Sequence, residues 1–175
     1  MLLKKRFGRP MSVGLPIFFI IILFIICAYG HGLILVVQPE NSTQTLYWSA
    51  AVGDTWQISF THSVEKTAWD EFYRIDGNNH LTLTHTEFSS YGWGYPYSAK
   101  DGKFSTTPEG KFRVEMNRYI TDLKLRISVQ AMQKIIHHKN TYDLCQLFGD
   151  GCLLNISVQK RYQWWLNKLN FRKET

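Results

Sequence analysis

The stretch LKLRISV, Leu123 to Val129, carries the clearest structural signal in the sequence. Its apolar residues recur at every second position, and Lys124, Arg126 and Ser128 occupy the positions between them. Because successive side chains of a strand point to opposite faces, this alternation predicts a strand with one buried face. The stretch LTLTHTEF, Leu81 to Phe88, begins with the same alternation.

Similar runs recur between residues 33 and 159, and turn sequences rich in Gly, Pro, Asn and Asp separate them. The other runs that predict strands are GLILVVQP (32–39), LYWSAAV (46–52), TWQISFTHSV (55–64), WDEFYRI (69–75), KFRVEM (111–116) and LLNISVQ (153–159). No helical pattern of any length lies between Gln38 and Lys160. The sequence therefore predicts an all-β domain at residues 33–159, either an antiparallel sandwich or a small barrel.

The amino-terminal part combines a basic head, residues 1–14, with a long uncharged run. No Lys, Arg, Asp or Glu occurs from Met11 to Gln38. A membrane-spanning helix needs about 20 apolar residues, so residues 15–32 are predicted to be a transmembrane anchor or a signal segment. The basic head should stay in the cytoplasm by the positive-inside rule. The small residues Ala28 and Gly30 fit a cleavage site, which leaves a cleaved signal as the alternative to an anchor.

The carboxyl-terminal tail, residues 160–175, has a different composition. Its sequence, KRYQWWLNKLNFRKET, predicts a short basic helix with Trp165, Leu166 and Leu169 near one face. Such a helix either lies on an anionic membrane surface or covers the edge or bottom of the β domain.

The charge of the chain does not indicate binding to nucleic acid. The formal net charge is +6, but the excess of Lys and Arg lies in the two ends of the chain. Between them, acidic residues slightly outnumber basic ones, so no basic stripe crosses the predicted domain.

Cys145 and Cys152 flank the turn-like sequence FGDG. Export would place them in an oxidising compartment, where disulfides persist. The spacing therefore predicts a Cys145–Cys152 disulfide across a hairpin. His137 and His138 lie on a predicted strand, so we expect exposed rings that point to opposite faces and do not chelate together.

The densest polar stretch of the chain is FTHSVEKTAWDEFY, Phe60 to Tyr73. In principle His62, Glu65 and Glu71 could bind a metal, and His62 could act as a base oriented by a carboxylate. No P-loop, nucleophile elbow or zinc-protease motif accompanies them. A polar turn after a strand and a surface that binds a partner are the other two interpretations. We expect no enzymatic activity, no metal and no cofactor.

A second suggestive stretch is SSYGWGYPYS, Ser89 to Ser98. Its alternating aromatic residues either form an adaptable contact surface or close one end of the β domain.

The order of these two stretches resembles the bacterial domain-of-unknown-function family 1850. The matching residues are His62, Ser63, Val64, Thr67, Glu71 and Tyr73 in the first stretch and Phe88, Ser90, Gly92, Gly94 and Pro96 in the second. The resemblance covers roughly Leu33 to Gln159; Trp93 stands where many members have a small residue, and the tail after Gln159 has no counterpart.

The resemblance implies a small exported or membrane-anchored β domain that accompanies a tripartite (TRAP) solute transporter of the TAXI type. We therefore expect an accessory binding subunit, tethered on the periplasmic side of a bacterial inner membrane, whose partners are the transporter permease, the solute-binding protein, or both. The residues expected to contact the partner are His62, Glu65, Thr67, Glu71, Tyr91, Trp93 and Tyr95. The alternatives are an exported hydrolase or metalloenzyme using His62 with Glu65 or Glu71, and a structural envelope protein.

Overall fold

Two antiparallel β-sheets that share one apolar core form the body of the protein. The computed structural model describes residues 14–42, 44–77, 80–90 and 102–171. Within these residues, the helices and strands in chain order are α1 (Gly14–His31), β1 (Leu33–Pro39), β2 (Leu46–Ala50), β3 (Thr55–Thr61), β4 (Ala68–Gly77), β5 (His80–Phe88), β6 (Lys103–Thr106), β7 (Phe112–Ile120), β8 (Leu123–Arg126), β9 (Lys134–His137), β10 (Asn140–Asp143), α2 (Leu144–Phe148), β11 (Leu153–Lys160) and α3 (Arg161–Phe171).

The described strands form a smaller sheet with the order β2-β1-β11-β8 and a larger sheet with the order β10-β9-β3-β4-β5-β7-β6. Their pairings are antiparallel. The prediction of an antiparallel all-β domain is thus confirmed, and the arrangement is two sheets. Strands β6 and β10 were not predicted, because each contains a single apolar residue, Phe104 or Tyr142, and therefore shows no alternation.

The main core lies between the two sheets. Leu35 and Val37 of β1 point into it, together with Trp56, Ile58, Tyr73 and Ile75 of the larger sheet. The alternate residues of β1, Ile34 and Val36, are buried on the opposite face of the smaller sheet. Strand β1 is therefore buried on both faces, which explains why its sequence is a continuous apolar run.

The strand register defines two ends of this sandwich. At the first end, Leu33 pairs with both Lys160 and Ala50, so the strands there adjoin α1 and α3. Only a short connection separates Ala50 from the start of β3 at Thr55. Strand β3 then runs about 20 Å away from this end, at roughly 3.4 Å per residue. The turn that follows β3 lies at the other end, which we call the motif end.

Helix α1 begins at Gly14 and ends at His31, within one residue of the predicted segment 15–32. Its apolar side chains are mostly exposed, as with Leu23 (67%) and Phe24 (72%). Among the described residues, no helix combines the length and the apolar character that crossing a membrane requires. The predicted transmembrane helix is therefore not confirmed.

Helix α3 covers the outer face of the smaller sheet. Trp164 is buried there against Ile34 and Val36, and its ring lies 4.5 Å from that of Tyr47. The Arg161 side chain, at the start of the helix, donates a 2.8 Å hydrogen bond to the Ser49 hydroxyl. Of the two predicted positions for this helix, the structure supports packing on the β domain, although over a sheet face instead of an edge.

The predicted Cys145–Cys152 disulfide is wrong. Both cysteines are unbonded, as is Cys27. Cys145 lies in helix α2, which the Asp143 carboxylate caps by accepting a hydrogen bond from the Gln146 amide. A helix therefore replaces the predicted hairpin strand, and both thiols pack against the main core.

The prediction for His137 and His138 is wrong in part, because only His138 is exposed and the two rings do not point to opposite faces. Their rings are in contact, with centroids 4.0 Å apart, and His137 is only 3% exposed. His137 pairs with Asn140, so His138 and Lys139 form a two-residue hairpin loop, and both have positive φ. That left-handed backbone ends the strand alternation after His137 and turns the second ring onto the first.

Candidate functional site

The turn between β3 and β4, residues 62–67, contains three of the predicted contact residues: His62, Glu65 and Thr67. The His62 amide donates to the Thr67 carbonyl at 2.8 Å, and the Lys66 amide donates to the His62 carbonyl at 3.0 Å. The His62 ring adds a third bond, since its Nδ1 accepts from the Glu65 amide at 3.4 Å. Lys66 has a φ of 56°, which closes the turn. The polar turn predicted for this stretch is therefore present, with His62 bonded to its backbone.

The structure brings the first stretch and the start of the second, Ser89 and Ser90, together at the motif end. Strands β4 and β5 are paired, and the Thr67 and Ser90 hydroxyls lie 3.3 Å apart at the ends of these strands. Ser90 is the last described residue before 91–101. The predicted contact residues Tyr91, Trp93 and Tyr95 lie outside the described residues.

A row of stacked rings connects the turn to the interior. The His62 ring stacks on Trp69 with centroids 6.0 Å apart, and Trp69 stacks on Phe88 at 5.0 Å. Phe88 is completely buried and forms a small second core with Val114. The turn therefore rests on packed aromatic side chains, which hold its exposed part, including Val64 (63% exposed), in a fixed position.

Glu71, the fourth predicted contact residue in this stretch, does not lie in the turn. It shares one face of β4 with Trp69 and Tyr73, since these residues alternate along the strand. The Tyr73 hydroxyl donates to the Glu71 carboxylate at 2.6 Å, and Tyr73 itself is buried in the main core. The predicted set thus divides into a turn group (His62, Glu65 and Thr67) and an internal carboxylate.

Burial raises the pKa of Glu71 above its ordinary value of 4.5. Hydrogen bonds from Tyr73 and Trp69 and the positive charge of Arg118 oppose this rise without cancelling it. The pKa of Tyr73 is also raised, by burial first and then by the neighbouring Glu71 charge. The pair therefore holds its protons more tightly in the folded protein than in the unfolded chain.

This raised pKa predicts a pH-dependent loss of stability. In the window between 4.5 and the raised pKa of Glu71, the folded protein binds more protons than the unfolded chain, so the free energy of unfolding should fall as pH rises. Glu71→Gln keeps an oxygen that accepts from Tyr73 but does not titrate. Urea unfolding of the full chain in a mild detergent, from pH 4.5 to 7.5, should give a smaller decline for Glu71→Gln than for the wild type.

Glu115→Gln serves as the matched control, because Glu115 is exposed on a strand of the same sheet. Its pH profile should parallel that of the wild type. If both substitutions changed the profile equally, the burial of Glu71 would not be the cause.

The metalloenzyme alternative needs His62 to act with Glu65 or Glu71. Glu65 lies in the same turn as His62, whereas Glu71 lies on strand β4. His62 bonds within the turn, whereas the Glu71 carboxylate bonds to Tyr73. The other nearby carboxylate, Asp70, accepts from Gln57 at 2.9 Å and from Lys111 at 3.0 Å. In the part of the chain that the structure describes, no group of three His, Cys, Asp or Glu side chains could hold a metal ion.

An open groove on the outer face of the larger sheet was not predicted. It has a volume of about 430 Å³. Its lining residues are Thr84, His85, Lys103, Glu115, Met116 and Asn117. The groove lies at a β-bulge. The bulge arises because β5 has one extra residue, Thr84, between the residues that pair with Phe72 and Tyr73. The bulge sends His85 to the outer face, where its ring stacks on Phe72 at 4.1 Å.

The fold and the paired motif strands define a small two-sheet β domain with a polar turn at one end. A family model described as Domain of unknown function (DUF1850) matches residues 56–144, about half of the chain, and the protein belongs to this family. The match begins at Trp56 in β3 and ends at Leu144 in α2, so it includes both motif stretches. No curated protein and no solved structure matches the chain.

Proposed function

We propose that the protein is a membrane-tethered accessory subunit of a TAXI-type TRAP solute transporter, located on the periplasmic side of a bacterial inner membrane. In this proposal it binds a transporter component and carries out no chemistry of its own. The main support is the grouping of family-typical residues at the motif end, where Thr67 and Ser90 are in contact and His62 stacks on the aromatic row. The link to transport comes from the family resemblance.

The tether in this proposal is the apolar amino-terminal segment. The described part of that segment, α1, exposes large side chains such as Phe18, Leu23 and Phe24. Apolar area of this extent is unfavourable in water and favourable in hydrocarbon. In the sequence, the uncharged run extends beyond α1 on both sides, from Met11 to Gln38. A tether also raises the effective concentration of the domain near its partner, so a weak contact suffices.

The position of the motif end limits which part of either expected partner can contact the turn. The turn at residues 62–67 lies at the opposite end of β3 from α1, about 20 Å away along the strand. In this proposal, a contact surface about 20 Å from the end of α1 faces the periplasm and not the bilayer. The proposed partner of the turn is therefore the soluble solute-binding protein, or a part of the permease that protrudes from the membrane.

The test is affinity purification of the full chain from detergent-solubilised membranes, followed by identification of co-eluting proteins. The wild type is expected to retain a large permease, its solute-binding protein, or both. His62→Ala combined with Glu65→Ala should reduce this retention, because both side chains belong to the turn. Folding of the variant is checked by its urea unfolding curve.

Asn140→Ala combined with Thr141→Ala is the matched control. Both residues are exposed on the edge strand β10, and the register places them at the end of the sheet opposite the turn. This variant should retain partners as the wild type does. Absence of any transporter component from the wild-type eluate would refute the proposal.

A further inference from the structure

Helix α3 is buried on one side only. Trp164 packs into the outer face of the smaller sheet and is 8% exposed. The adjacent side of the helix carries Trp165, Leu166 and Leu169, which are 39%, 56% and 58% exposed. We call these three residues the α3 apolar face. Packing on the sheet therefore does not account for all of the apolar residues of this helix.

The α3 apolar face is continuous with the end of α1. The Trp165 ring lies 5.8 Å from the ring of Tyr29, which is 57% exposed. The Arg161 guanidinium lies 3.8 Å above the same Tyr29 ring. The Arg161 amide also donates to the Gly32 carbonyl at 2.9 Å. Helix α3 is thus held at the point where the chain leaves α1 and enters the β domain.

The charge on α3 has one sign. The sequence RYQWWLNKLNF, Arg161 to Phe171, contains no Asp or Glu. Lys168 is exposed, and its Nζ lies 4.8 Å from the centroid of the Trp164 ring. Lys160 precedes the helix, and Arg172, Lys173 and one acidic residue, Glu174, follow it in the sequence, so the flanks have a net positive charge. An aromatic and apolar face flanked by Lys and Arg matches the chemistry of an anionic lipid surface.

We propose that the α3 apolar face lies in the headgroup region of an anionic phospholipid bilayer, beside the end of α1. Tyr29 and Trp165 then occupy the level at which Tyr and Trp are enriched in membrane proteins. Lys168 contacts the acidic headgroups, and Leu166 and Leu169 reach the upper acyl chains. Two contacts, α1 and α3, fix the orientation of the β domain and direct the motif end away from the membrane. This inference rests on the tether in the proposed function.

The test uses the full chain reconstituted into vesicles of phosphatidylcholine, with or without phosphatidylglycerol, whose acyl chains carry bromine. Bromine quenches Trp emission at short range. The emission of Trp165 is obtained by subtracting the spectrum of Trp165→Phe from that of the wild type. We expect loss of this difference emission in brominated vesicles that contain phosphatidylglycerol, and much less loss in phosphatidylcholine alone.

Charge variants test the proposed electrostatic contact between Lys168 and the acidic headgroups. Lys168→Gln should lower the equilibrium constant for docking of α3 about fivefold, as removal of one Lys near an anionic surface predicts. More phosphatidylglycerol would then be needed for the same quenching. Lys103→Gln is the matched control, because Lys103 is exposed on the edge strand β6 of the other sheet, and it should behave as the wild type.

The outcomes separate this inference from the tether. A chain that does not remain with the vesicles on sedimentation would refute the tether, and the inference with it. A chain that sediments with the vesicles while the Trp165 emission stays unquenched would overturn only the inference about α3. Stronger protection of α3 amides from hydrogen exchange in native membranes than in vesicles, with the Trp165 emission unquenched in the vesicles, would indicate a protein occupant and would also overturn it.

Discussion

Replacing Phe88 with alanine is expected to lower the free energy of unfolding by about 3–5 kcal/mol, the usual cost of deleting a buried aromatic ring. Phe88 is completely buried, and its ring contacts those of Trp69 and Phe112, with centroids 5.0 and 5.9 Å away. The cost is large because neighbouring rings on two strands cannot collapse into the space that is left. Urea unfolding of the full chain in a mild detergent measures the change.

Tyr119→Ala is the matched control for this prediction. Tyr119 is an aromatic residue on β7 of the same sheet, but it is 74% exposed. Its removal should change stability by about 0.5 kcal/mol or less. Equal losses for the two variants would mean that the small core around Phe88 does not stabilise the fold.

The result for Phe88→Ala would also show whether this position of the family motif stabilises the fold or binds a partner. Phe88 and Ser90 are two positions apart in the same stretch, yet one is buried and the other lies beside the turn. A large loss of stability for Phe88→Ala would place this position among the structural residues of the motif. The partner-binding role would then be left to the turn group and to the residues after Ser90.

Replacing Trp164 with alanine is expected to release helix α3 from the sheet. Trp164 is the buried hydrophobic contact of this helix with Ile34 and Val36. Loss of such a side chain costs about 3–5 kcal/mol, and a helix of this length is not stable alone in water. Amide hydrogen exchange in the full chain should show loss of protection across α3, while the strands of the larger sheet keep theirs.

The neighbouring substitution Trp165→Ala removes an exposed ring and provides the comparison. In detergent it should leave the protection of α3 nearly unchanged, because Trp165 does not pack into the sheet. If Trp164→Ala left α3 protected as well, the hydrogen bonds of Arg161 to Ser49 and to the chain at residue 32 would be sufficient to hold the helix.

The alternation of apolar residues predicted the fold class and most strands, because burial of one sheet face imposes a period of two. It failed where a strand is bulged. In LTLTHTEF, a strict period of two would place His85 on the same face as Leu81 and Leu83. The bulge at Thr84 shifts the register, so Phe88 is buried and His85 points outward into the groove. The odd spacing between Leu83 and Phe88 is the signal that could have revealed it.

The candidate site was predicted in part. The polar turn at residues 62–67 follows from the hairpin of β3 and β4. Its closeness to Ser90 follows from the next hairpin, because β5 returns beside β4 to the same end of the sheet. The internal position of Glu71 could also have been predicted, since it alternates with Trp69 and Tyr73 along β4. The unbonded state of the cysteines could not have been predicted. It depends on the short helix α2, which is formed by the Asp143 cap and tertiary packing and not by a periodic sequence.

The pairing of β1 with β11 has a consequence for how the protein is made. Residues at the two ends of the β domain, such as Leu33 and Lys160, are partners in one ladder at the centre of the smaller sheet. Contacts so distant in sequence form late and slowly, because the intervening chain must first be ordered. During synthesis, this sheet cannot be completed until strand β11 has emerged from the ribosome. Truncations that remove β11 should therefore leave the apolar β1 paired with β2 alone, and the exposed second edge of β1 should make the nascent product prone to aggregation and degradation.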